Sequence, residues 1–282
     1  MPKIITAINS FFLSMSFLTR ITIPLNFEIS SKEWELMPAF FPFIGLIISF
    51  FSIIPIIFLN YLPIQQDILS FISAIGIISL STWLTRALHI DGFCDSVDAF
   101  SIVNANAEKR LSVMKDPHLG STAATALFLL LAIKFFAVYF LFQPPFPPKI
   151  SEFFTYNISF IIISFTFSRL SMTILSFIGR YPREKGTASN IVGKTNKYAF
   201  FFAILFSLLI LFFPFFNSLK LFELFVISSL IITVTVINTF YWFFLSRKMI
   251  TGITGDILGA VSETTETSLF FLSVIIQNLF FK

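Results

Sequence analysis

Charge is scarce in this sequence. Asp, Glu, Lys and Arg together make up 12% of 282 residues, whereas 56% are hydrophobic and the mean hydropathy is +0.88. A water-soluble domain of this length needs far more polar surface, so an ordinary soluble globular protein is excluded and the bilayer becomes the expected solvent. Cysteine is almost absent. Cys94 alone excludes an intramolecular disulfide and fits a reducing face. The P-loop lysine pattern, the GxGxxG turn, CxxC and HExxH are all missing, which argues against P-loop nucleotide hydrolysis and against zinc chemistry. No Ser or His is set up as a nucleophile–base pair. No secretory signal is expected, because Lys3 precedes an apolar stretch but Arg20 and Pro24 follow it instead of a small-residue cleavage site. Residues 4–18 read as an interfacial or partly inserted helix. With no internal repeat and no low-complexity linker, 1–282 reads as one integral membrane domain.

Long apolar runs are what the chain does have, rich in its 42 Phe residues. Seven stretches approach the roughly 17–25 residues that cross a ~30 Å hydrocarbon core as a helix. They lie at about 37–59, 68–87, 120–142, 157–178, 199–216, 222–246 and 266–281. The fold class expected is all-α, a polytopic integral membrane protein of about seven transmembrane helices. Its connections alternate in character. Those at 60–67, 143–156 and 217–221 hold Lys149 and Lys220 as their only basic residues, whereas 1–36, 88–119, 179–198 and 247–265 are long and rich in both signs of charge. Seven crossings put those four polar segments on one side, and the positive-inside rule makes that side cytoplasmic. The net charge of +4 is therefore assigned to membrane orientation and not to nucleic acid.

Four clusters in the polar segments carry chemistry. The first is His89-Ile-Asp91-Gly-Phe-Cys-Asp95-Ser-Val-Asp98, whose aspartates are spaced four and three apart and fall on one helical face. Stacked carboxylates repel one another unless a hard divalent cation such as Mg²⁺ neutralises them together with substrate phosphates. The plainer reading is a solvated acidic helix face. The second cluster, Arg110 to Ser121, offers Lys115 either as a phosphate ligand or as a membrane-boundary anchor. The third, Gly179-Arg180-Tyr181-Pro-Arg183-Glu184-Lys185-Gly186 with Gly193-Lys194, is a glycine-interrupted basic loop suited to a polyanion or to lipid headgroups. The fourth places Asp256, Glu263 and Glu266 on one face at the mouth of the last expected span, as ligands of a second metal or as a clamp on basic groups. Inside the spans stand Lys134 and Arg169, each costing about 2.5–3.5 kcal/mol to insert unpaired. With no acid near the span centres, both are expected to meet an anionic substrate or a loop carboxylate.

Taken in order, these blocks resemble the cobalamin synthase family, the adenosylcobinamide-GDP ribazoletransferases. The resemblance runs from Phe17-Leu-Thr-Arg20 and Phe41-Pro42-Phe-Ile-Gly45 through Leu88-His89-Ile-Asp91-Gly92 with Asp95 and Asp98. It continues through Met114-Lys115-Asp116, Lys134, Ser168-Arg169, Arg180-Tyr181-Pro-Arg183-Glu184-Lys185-Gly186 and Gly193-Lys194, and ends at Thr254-Gly255-Asp256-Ile-Leu-Gly259-Ala260 with Glu263 and Glu266. The chain departs from the family where Arg86-Ala87 replace a usual Gly-Gly pair, where Ala99 replaces Gly, and where Pro117-His118 replace Ser-Arg.

The resemblance implies a transferase that joins adenosylcobinamide-GDP to α-ribazole, or to its 5′-phosphate, with release of GMP. It implies Mg²⁺ at Asp91, Asp95, Asp98, Asp256 and Glu263, with phosphate binding by Lys115, Lys134, Arg169, Arg180, Arg183 and Lys194. Asp91, Asp95 and His89 are the candidates for catalysis, one of them as general base. Its partners would be the corrinoid nucleotide, the ribazole and membrane lipid, without nucleic acid; a homo-oligomer and association with other cobalamin-assembly enzymes both stay open. The place implied is a prokaryotic cytoplasmic (inner) membrane, with the site facing the cytoplasm. Two rivals remain. A CDP-alcohol phosphatidyltransferase would carry Ala-Arg where Asp95-Ser96 stand, and a secondary transporter would gather its ionisable groups near the midplane.

Overall fold

A computed structural model describes residues 2–23, 29–59, 61–143, 150–186, 188–215 and 220–280, with the side chains of 2, 3 and 150–155 excepted. Pro24, Lys149 and Lys282 lie outside the described residues. Those described form helices and no strand: α1 (Pro2–Leu18), α2 (Ser31–Leu36), α3 (Phe41–Leu59), α4 (Gln66–Leu84), α5 (Leu88–Ser101), α6 (Ala107–Val113), α7 (Ser121–Leu141), α8 (Ile150–Ile178), α9 (Lys197–Phe212), α10 (Leu221–Ile250) and α11 (Gly255–Phe280). Helix is the form that satisfies every backbone polar group within one segment, as hydrocarbon requires. Hydroxyls follow the same rule. Ser52, Ser164, Ser207, Thr235 and Thr267 each bond a carbonyl four residues back in their own helix.

Among the described residues, six helical stretches are long and apolar enough to cross a membrane: Ser31–Leu59, Gln66–Leu84, Ser121–Leu141, Tyr156–Ile178, Lys197–Phe215 and Leu221–Ile250. The seventh expected crossing differs from the sequence reading. It begins at Gly255 instead of 266, so its polar first half is helix inside the bundle and not a loop at its mouth. α11 is not among those six, yet it runs from one end of the bundle to the other. Its first turn lies against Gly92 of α5, and near its far end Gln277 Nε2 donates to the carbonyl of Leu141, the last residue of α7. A helix of 26 residues rises about 39 Å, enough for the hydrocarbon core. Most of α11 is buried against α5, α7, α8 and α10, and protein rather than lipid meets its polar face. α8 is the other inner helix, with 83% of its span buried. On the outside Phe128, Phe201, Phe225 and Phe244 are exposed, as lipid-facing residues should be.

Hydrogen bonds between distant connections show which ends lie together. Arg20 N–H bonds Leu84 O, Asn196 N–H bonds Glu35 O, Ile253 N–H bonds Arg180 O, and Arg183 donates from a guanidinium nitrogen to Leu111 O. At the other end Gln66 and Ser70 donate to Phe142 O, and Gln143 donates to Asp67. All four polar segments thus meet at one end of the bundle.

The Arg86-Ala87 pair has a local consequence. Both residues are left-handed, with φ of 55° and 56°, a region where glycine is unstrained and other residues are not. Arg86 has a compensating role, because its guanidinium donates to Thr19 O at 2.6 Å and Ser16 O at 3.2 Å, closing the carboxyl end of α1. Ala87 has no such compensation.

Candidate active site

α5 and α11 run antiparallel in close contact. A Cβ on Gly92 would come within 2.7 Å of the Asp256 carbonyl oxygen, and one on Gly259 within 2.9 Å of the His89 carbonyl oxygen. Only residues without a side chain let these backbones meet so closely. The contact brings Asp256 to the carboxylates of α5. Asp91 is exposed and Asp95 half-buried, and neither takes a salt bridge among the described residues. Burial, with the charges of Asp91, Asp256 and Asp98 adding to it, pushes Asp95 up to about 7, while Arg183 pulls the other way. Thr254 Oγ1 donates to Asp256 Oδ2 at 3.1 Å and orients it. Burial, with the same acidic surroundings adding to it, pushes the Cys94 thiol up to about 11.

Asp98 stands apart from this group. Its two oxygens accept from Gly120 N–H at 2.6 Å and Ala123 N–H at 3.0 Å, so it caps the amino end of α7 from another helix. Glu263 is likewise committed, two turns inside α11, to Lys134 Nζ at 2.5 Å. Of the five carboxylates expected at a metal, Asp91, Asp95 and Asp256 are therefore the ones left free of a cation or a backbone cap. Among the described residues no set of three or more His, Cys, Asp or Glu side chains is drawn close enough to hold a metal ion by itself. Carboxylates in mutual repulsion at an open face suit Mg²⁺ held by one or two protein ligands with substrate phosphates completing its shell.

Lys134 and Arg169 do not face the loops. Lys134 also bonds Glu266 Oε1 at 2.9 Å, and Arg169 bonds the other oxygen of Glu266. Both cations are fully buried, and two carboxylates on α11 neutralise them. The sequence reading found no acid near the span centres because it began the last helix eleven residues late. His89 belongs to this cluster as well. It is buried, its Nδ1 lies 3.4 Å from Arg169, and burial together with the Arg169 and Lys134 charges holds the imidazole well below its usual value and so neutral.

The basic segment after α8 reaches the acidic face through Arg183, whose charge acts on Asp95 and Asp256. Gly193, at φ +75°, turns the chain so that its N–H bonds Ser176 O. Around this loop lie two cavities, each of about 630 Å³. One is lined by Arg180, Arg183, Lys185, Asn190 and Lys194, the other by Glu108, Lys115, Arg183 and Lys185. Arg183 borders both and acts electrostatically on Asp95. The structure thus gathers Lys115, Arg180, Arg183 and Lys194 around these two cavities, and of the four it is Arg183 whose charge reaches Asp95 and Asp256. Sequence reasoning assigned no task to Arg110, whose guanidinium donates to Ala99 O at 2.7 Å and Ile102 O at 2.9 Å and closes the end of α5. A basic residue soon after an acidic helix was the available signal.

A family model described as cobalamin-5-phosphate synthase matches residues 10–274. Among curated proteins, the adenosylcobinamide-GDP ribazoletransferase of Clostridium tetani is 30% identical over 278 residues, covering 96% of this chain and 99% of its own. That of Clostridioides difficile is 30% identical over 280 residues, again 96% and 99%. The Fusobacterium nucleatum protein of the same name is 28% identical over 285 residues with the same coverage. No solved structure matches.

Proposed function

The chain belongs to the cobalamin-5-phosphate synthase family, and from that premise we propose that it joins adenosylcobinamide-GDP to α-ribazole or α-ribazole 5′-phosphate, releasing GMP. A ribazole hydroxyl attacks the phosphorus on the cobinamide side of the diphosphate. The new P–O bond forms as the anhydride P–O bond breaks, and GMP carries away the bonding pair. The observation that carries this reading is the face on which Asp91, Asp95 and Asp256 stand free beside Arg183.

Asp91 and Asp256 would hold Mg²⁺, which when bound supplies charge neutralisation for the diphosphate and the leaving oxygen. Arg183 lies where it reaches both cavities and orients the reacting phosphorus between them. Arg180 and Lys194 bind phosphate on one side and Lys115 on the other. Asp95, with a pKa near the working pH, is the carboxylate best suited to accept the proton of the attacking hydroxyl. His89 is closed off from that face. The buried cluster of Lys134, Glu263, Arg169 and Glu266 balances its own charge, so its cations are already paired within the bundle and do not favour the transporter reading.

The polar end is assigned to the cytoplasm of a prokaryotic cell by its basic residues. An amphipathic corrinoid fits a site at that boundary. Incubating the purified protein with adenosylcobinamide-GDP and α-ribazole should release GMP only when Mg²⁺ is present. Release of CMP from a liponucleotide, with no GMP from the corrinoid, would assign the chain to the rival transferase.

A further inference from the structure

Two negatively charged surfaces, the α5 face with Asp91 and Asp95 and the first turn of α11 with Asp256, are pressed together in this fold. Like charges at such a contact push the helices apart. The Gly92 and Gly259 contacts let the backbones approach but give no directional hold. A hold exists at the root of α5. His89 stands there, two residues ahead of Asp91, and is 1% exposed. The guanidinium nitrogen 3.4 Å from its Nδ1 can only donate, so Nδ1 accepts and the ring proton sits on Nε2. Arg169 is fixed in turn by Glu266, which shares Lys134 with Glu263. One chain of polar contacts therefore runs from α7 through α11 and α8 to the start of α5, short between Lys134, Glu263 and Glu266 and longest at the 3.4 Å step to His89, and buried where a broken partner is costly.

We propose that His89 is a positioning residue which, through Arg169 and the Glu266–Lys134–Glu263 cluster, seats α5 on α11 and keeps Asp91 and Asp95 opposite Asp256. The role rests on the phosphotransfer reading above, for which those carboxylates are the reacting face. It replaces proton abstraction by His89 and phosphate binding by Lys134 and Arg169, since all three side chains are buried and none lines either cavity; His89 Nε2 is left without a hydrogen-bond partner, so Nδ1 is the ring atom that holds.

Cys94 gives a readout that does not depend on activity. It is the only cysteine in the chain, lies on α5 just past Asp91, and is 5% exposed. In the detergent-solubilised full chain, at a temperature well below the lowered thermal midpoint of each variant, His89→Ala and Arg169→Lys should each raise the rate of maleimide labelling at Cys94 by about tenfold. Each should raise the Mg²⁺ concentration for half-maximal GMP release by about the same factor, and the double variant should match either single one, because all remove one contact. His89→Asn keeps an acceptor for Arg169 and should restore both readouts to within about threefold of wild type. Two outcomes overturn the proposal. One is His89→Ala with Cys94 still protected and the Mg²⁺ requirement unchanged. The other is His89→Asn inactive with Cys94 protected, which returns the ring to the chemistry. If the wild type releases no GMP while the labelling pattern holds, the reaction falls and the seating of α5 stands.

Discussion

At the residue scale the carboxylates divide by what already occupies them. Asp98 accepts two backbone N–H groups at the start of α7, so Asp98→Ala should cost about 1–2 kcal/mol of stability, read as a lowered thermal midpoint. Asp91→Asn, Asp95→Asn and Asp256→Asn should instead abolish GMP release while membrane insertion and the midpoint are kept; full activity in all three would remove the metal assignment. Asp95 also sets a pH dependence. Its folded-state pKa of about 7 lies above the ordinary 3.8, so between those values the folded chain holds a proton that the unfolded chain has lost. Stability contributed by that proton is present at low pH and lost as pH rises through about 7. Without divalent cation the midpoint should therefore be lower at pH 8 than at pH 5, and Asp95→Asn should flatten the difference. An Asp95→Asn profile as steep as that of the wild type would contradict this. The spacing of Asp91, Asp95 and Asp98 made the acidic face legible in the sequence. The commitment of Asp98 was not, because its partners stand 22 and 25 residues further on.

At the element scale the lesson concerns α11. Hydropathy registers apolar helices, the enclosed α8 included, whereas the first half of α11 carries Asp256, Glu263 and Glu266 and so passed for a loop. That one error hid the partners of Lys134 and Arg169, which lie 129 and 97 residues away in sequence. A close backbone approach at Gly92 was one of two readings its sequence allowed, the other being simple tolerance; the partner was not legible, since a close approach needs two helices to define it. Gly92→Ala would put a Cβ 2.7 Å from the Asp256 carbonyl oxygen. The helices must then part at an overpacking cost of roughly 1–3 kcal/mol, and GMP release should fall at least about tenfold. Ala87→Gly acts the other way. It relieves a left-handed φ of 56° and should raise stability by roughly 0.5–1 kcal/mol after the added chain entropy of glycine, measured by thermal unfolding.

At the scale of the whole molecule, two arrangements overlap. The basic connections that orient the chain include the one whose Arg183 reaches the acidic face, and hydrogen bonds from Arg20 to Leu84, Asn196 to Glu35 and Ile253 to Arg180 tie them into one end. The alternation of plain and polar connections revealed that end in the sequence, because orientation depends on local charge. Which loop touches which depends on packing and was not legible. The reaction proposed requires that this end face a single compartment. Labelling tests it directly: single cysteines at Leu119, Lys185 and Lys248, with one at Tyr61 for the far end, each in a Cys94→Ser chain, probed by a membrane-impermeant maleimide in intact cells and in inside-out vesicles. The account predicts that the first three react only in the vesicles and Tyr61→Cys only in the cells. Reaction of Leu119→Cys and Lys248→Cys from opposite sides would contradict it.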